Sequence, residues 1–80
     1  MLKVVNQVIE AQDALTQIFS SEELEILYKK VLEKIDRIYP EAQEIRPGIT
    51  KLEIMQIMAK DYAKNGEPQL ALIMIATMGI

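Results

Sequence analysis

Apolar residues recur along this chain every three or four positions, and alternation at period two is nearly absent, which predicts helices throughout. Val4, Val5, Val8, Ala11, Leu15, Ile18 and Phe19 keep that spacing, with Lys3, Asn6, Gln7, Glu10 and Asp13 largely between them. The pattern predicts an amphipathic helix over 2–19. Ser20-Ser21-Glu22-Glu23 then has the form of a capping box, in which hydroxyl and carboxylate each satisfy the other residue's free N–H. It opens a second helix, 21–39, with a main stripe of Leu24, Tyr28, Val31, Ile35 and Ile38, widened by Leu27, Leu32 and Tyr39. Its acids come first and its bases last, as the helix dipole favours. Glu25–Lys29 and Glu33–Arg37 are spaced as four-residue ion pairs. Pro40 is expected to end this helix, because the residue before a proline avoids the helical region.

The connection 40–49 carries Pro47-Gly48 as its turn signal. Thr50-Lys51-Leu52-Glu53 repeats the capping box and starts a third helix, 51–64. Asn65-Gly66 stops it, since glycine takes the left-handed position past a helix end without steric cost. Pro68 suits the first turn of a fourth helix, 68–78, where its missing N–H is no loss. The expectation is one all-α domain over residues 1–80, a four-helix unit of antiparallel hairpins, because short joints favour antiparallel neighbours.

The fourth helix sets the functional question. Residues 68 to 80 carry no charge, and only Pro68, Gln69, Thr77 and Gly79 are not strongly apolar. Ala71, Leu72, Ile75 and Met78 form an expected inward stripe. Gln69, Ile73, Ala76 and Ile80 fall opposite, with Leu70 and Met74 to the flank. A helix apolar on all sides is a buried one, and leaving several aliphatic side chains wet forgoes roughly 1.5–3 kcal/mol each. In so small a unit the expected cover is a second polypeptide, a copy of the chain or a different protein, with a single chain curled around this helix as the alternative. A symmetric pair is the simplest, since two-fold dimers are the commonest oligomers. The expected interface is Met55, Met58, Leu70, Ile73, Met74, Thr77 and Ile80. The four methionines of the last two helices, Met55, Met58, Met74 and Met78, read either as core filler or as an adaptable binding surface.

Met55, Met58, Ala59 and Tyr62, followed by Gly66 at a turn and then Ala71 and Ile75, resemble a single tetratricopeptide helical hairpin over residues 51–80. Met stands where that family has tryptophan, Ala where it has glycine, and Pro68 opens the second helix. No second copy occurs in residues 1–50, although such repeats need neighbours to bury their faces. The resemblance implies a tight hairpin, and no binding residues carry over from it.

Charge and chemistry narrow the classes. Nine basic residues face twelve acidic ones, a net charge of −3, which argues against nucleic acid as partner. There is no cysteine, hence no disulfide framework or thiolate metal site. There is no histidine either, hence no ordinary base near neutral pH and nothing to activate a serine. No glycine-rich phosphate loop or calcium loop occurs, so no catalytic, cofactor or metal residues are assigned. Lys29, Lys30, Lys34 and Arg37 make a basic strip, read as a solvated face or as a patch for an acidic partner.

The start of the chain lacks the pattern of a secretory signal, and the apolar end is about half the roughly 20 residues needed to span a bilayer. The sequence is therefore expected to be a cytoplasmic, non-catalytic interaction protein of prokaryotic or phage type. It is expected to be a homodimer that regulates or inhibits another protein. Two alternatives are a helical protein lying on a membrane surface, disfavoured by the lack of Lys or Arg on the final helix, and a small enzyme or ligand-binding bundle using carboxylates and lysine.

Overall fold

Two hydroxyl side chains fix the starts of two helices in the computed structural model, which describes residues 2–80 and, within them, the side chains from Asn6 onward. Ser20 Oγ accepts from the Glu23 N–H at 3.2 Å, and the Ser20 N–H donates to Glu23 Oε1 at 3.0 Å. Thr50 and Glu53 make the same reciprocal pair at 3.1 and 3.2 Å. The helices are α1 (Leu2–Thr16), α2 (Ser21–Ile45), α3 (Lys51–Lys64) and α4 (Pro68–Thr77), with no strand among the described residues. The fold is the expected compact, four-helix, all-α unit. The expected place of Val4 and Val5 in the α1 stripe lies outside the described residues.

The element ends differ from expectation in three places, the least of them α4, which stops at Thr77 rather than Met78. α1 stops at Thr16 rather than Phe19, and the Ile18 and Phe19 N–H groups both close turns onto the Leu15 carbonyl. Ile18 therefore leaves the apolar stripe and is exposed.

The larger correction concerns Pro40, which does not end α2 but lies inside it. An interior proline removes one hydrogen bond and crowds the preceding turn, at a cost of about 3 kcal/mol. Contacts made by the turn beyond it offset this. Tyr39 and Ala42 pack on the core that holds Ile35 and Ile49. The Gln43 side-chain amide donates to the Ile49 carbonyl, and its oxygen accepts from the Gly48 N–H at 3.0 Å. One side chain thus clamps the Pro47-Gly48 turn and holds Ile49 as a buried plug. The long axis of the molecule, 38 Å, is the length of this helix, since its 25 residues rise about 1.5 Å each.

Between α3 and α4 the chain turns through Gly66 at φ 75°. The Glu67 N–H reaches the Tyr62 carbonyl at 2.8 Å and the Gly66 N–H reaches that of Ala63 at 3.3 Å. That double closure is a Schellman motif, which needs the left-handed residue glycine supplies.

α4 is the hub. It packs most extensively on α3 and α1 and also touches α2, while α1 and α2 barely meet despite their short joint. Two apolar clusters draw on it, and Val31 and Ile75 pack against both. Ile35, Ile49, Ile54, Met55, Ala59 and Met74 form one. Ala11, Leu15, Leu24, Ile73 and Ala76 form the other. The expected inward stripe is corrected accordingly: Ile73, Ala76 and Thr77 are among the deepest residues, whereas Leu72, Ile75 and Met78 are half-buried. The reason is α1, which lies along the side of α4 that was expected to face outward. The Thr77 hydroxyl, fully buried, donates to the Ile73 carbonyl at 2.6 Å, so its burial leaves no polar atom unpaired.

Candidate functional site

The chain itself covers most of α4. Of the seven expected interface residues, Met55, Ile73, Met74 and Thr77 lie in its own core and Met58 is half-buried. Leu70 and Ile80 stay 41% and 65% exposed. These two mark two different clefts.

The first cleft, of about 580 Å³, opens because α1 turns away from α2 to lie on α4. Leu24, Tyr28 and Leu32 form its α2 wall, Gln12 and Thr16 its α1 wall, and Ile80 enters it from the chain's end. Burial pushes the Tyr28 phenol above its ordinary 10.0. Glu25 and Lys29 stand at its rim. Among the described residues the ion pairs are Arg46–Glu53 at 3.1 Å and Lys51–Asp36 at 2.7 Å. The four-residue pairs expected on α2, Glu25–Lys29 and Glu33–Arg37, are not within ion-pair distance. Pairs of this kind on an exposed helix are worth only a few tenths of a kcal/mol, too little to immobilise two long side chains.

The second cleft, of about 180 Å³, lies where α2 faces α4 and the end of α3. Ile73 and Met74 are its floor; Leu27, Val31 and Leu70 stand around them. Its charged lining residues are Lys30 and Lys34, both from the basic strip. Lys34 Nζ donates to the Tyr62 hydroxyl at 3.1 Å and lies 5.8 Å from that ring's centroid. Sequence reading found the strip and found Leu70, but not that they adjoin. It placed Leu24, Tyr28 and Leu32 on the apolar stripe but showed no cleft there, because periodicity describes one helix and not the angle at which its neighbour departs.

Among the described residues no three acidic side chains gather as a cation site, and no helix is long and apolar enough to cross a membrane. Comparison with protein-family models, with curated proteins and with solved structures finds no match for this chain. With no family shown, what residues 51–80 share with a tetratricopeptide hairpin is local geometry: a glycine turn, with Ala59 and Ala71 buried on the paired helices.

Proposed function

We propose that this chain is a small, non-catalytic protein-interaction module that pairs with its own copy and acts by regulating or inhibiting another protein. The observation that carries the reading is Ile80, an exposed aliphatic side chain at the mouth of an apolar cleft whose rim holds one acid and one base, neither in an ion pair among the described residues. A two-fold contact brings each surface against itself. Glu25 of one copy then faces Lys29 of the other, twice, while Ile80 of each enters the cleft of its partner. Leu24, Tyr28 and Leu32 supply the apolar wall that receives it. An aliphatic residue so placed gains roughly 1.5–3 kcal/mol when fully buried, which the isolated chain forgoes.

Sedimentation velocity over the micromolar range tests this reading. The expected species has twice the 9.1 kDa chain mass, and Ile80→Glu returns it to a single folded chain. A particle that stays at 9.1 kDa across the whole range ends the pairing proposal.

A further inference from the structure

We infer that the second cleft is a docking site for an acidic amphipathic helix of a partner protein. The inference rests on the reading of the chain as an interaction module but uses a different surface from the one proposed for pairing. Leu70 is an exposed leucine beside a floor of Ile73 and Met74, so one bulky apolar side chain of a partner can seat there against aliphatic neighbours.

Charge identifies that partner. In a chain of net charge −3, the charged residues lining this cleft are both basic. Lys30 and Lys34 stand one helical turn apart, and Arg37 follows one turn later. Like charges at that spacing repel. Neither lysine has a carboxylate within ion-pair distance, because both ion pairs among the described residues lie elsewhere. Lys34 is held instead against Tyr62 by its hydrogen bond to the hydroxyl and its position over the ring. Two ammonium groups one turn apart, beside one apolar seat, match carboxylates one turn apart on a helix that carries leucine on the same face. A nucleic acid would match the charge but not the lining. The cleft's one aromatic ring already has Lys34 over it, and the remaining walls are aliphatic, where base recognition wants open stacking faces.

The probe is a synthetic helical peptide with Glu at positions i and i+4 and Leu at i+3 and i+7, titrated into the labelled full chain by two-dimensional NMR. Its twin with Lys for both Glu, and a single-stranded oligonucleotide, are the comparison arms. The expected result is a set of amide shifts centred on Leu27, Lys30, Val31, Lys34 and Leu70. Affinity should fall about tenfold in the Lys30→Glu/Lys34→Glu variant and as salt is raised. Leu70→Glu should abolish binding while the circular dichroism of the chain stays unchanged. The inference is overturned by no shifts at millimolar peptide, by shifts centred elsewhere, by equal binding of the lysine twin, or by tighter binding of the oligonucleotide. Sedimentation of the same samples separates the two proposals. A chain that pairs but ignores the peptide defeats this inference alone, and a chain that stays single but binds it defeats only the pairing.

Discussion

The side-chain amide of Gln12 donates to the backbone carbonyl of Ala76 at 3.0 Å, tying the middle of α1 to the last turn of α4. Gly79 completes the contact, because a methyl group there would lie 2.6 Å from Val8 Cγ1 and 2.9 Å from Gln12 Nε2. Its backbone does not require glycine; the space does. Val8 is β-branched and stiff, and Gln12 is held by its hydrogen bond. Gly79→Ala is expected to lower stability by about 1–3 kcal/mol, the usual cost of overpacking. Urea denaturation should show the midpoint falling, and Gln12→Ala should relieve part of the loss by freeing room.

Two neighbouring positions on α4 should behave oppositely. Ile73 is buried between α4, α1 and α2, so Ile73→Glu places an unpaired charge in the core and should unfold the chain outright. Leu70, three residues earlier, is exposed, and Leu70→Glu should change stability by no more than about 0.5 kcal/mol. Far-ultraviolet circular dichroism of both variants checks the contrast.

Pro40 leaves the Asp36 carbonyl without the N–H that any other residue would offer it. Its ring is exposed and packs on neither core cluster. Pro40→Ala should raise stability by about 1–2 kcal/mol, slightly offset by the freer unfolded chain. The thermal midpoint should rise; a fall would mean that Pro40 contributes more to the folded chain than its missing hydrogen bond costs.

Acid should weaken the fold through its two caps. Hydrogen bonds from the Ser20 backbone and side chain hold Glu23 below its ordinary 4.5, and those from Thr50 do the same for Glu53. A carboxylate held low in the folded state adds stability that is fully present above its unfolded value. That stability is lost as pH falls through the folded value. Stability should therefore decline below pH 4.5, and Glu23→Gln with Glu53→Gln should flatten that decline. Lys51 has the reverse sign: the hydrogen bond and charge of Asp36 raise it above 10.5, so its contribution is lost only in strong alkali.

Pairing across a two-fold axis can be read by exchanging charges. Glu25→Lys should weaken association by setting lysine against Lys29, and Lys29→Glu should weaken it by setting glutamate against Glu25. The double exchange should restore it. Sedimentation equilibrium on the three variants measures this, and a double variant no better than either single one would place the contact elsewhere.

The helices were largely legible in the sequence because their signals are local. Capping residues and Pro68 mark the starts of three helices, Asn65-Gly66 marks the end of α3, and its bounds are those expected, 51–64. Pro40 misled because its cost is local while the offsetting contacts of Ala42, Gln43 and Ile49 are not. The burial of α4 misled for a related reason. Hydrophobicity shows that Ile73 must be covered, but not that α1 will leave α2 to cover it. The cleft beside Ile80 follows from that same departure, so no pattern within a single helix announces it.

Ile73 and Met74 are adjacent in the chain, about 100° apart around α4, yet feed different clusters, and Val31 and Ile75 pack against both. Neither half of the molecule can therefore melt alone: a break anywhere in that one helix opens both. Hydrogen exchange should find the slowest amides of α1, α2 and α3 sharing one opening free energy, and a protease nick near Leu72 should leave no resistant fragment behind.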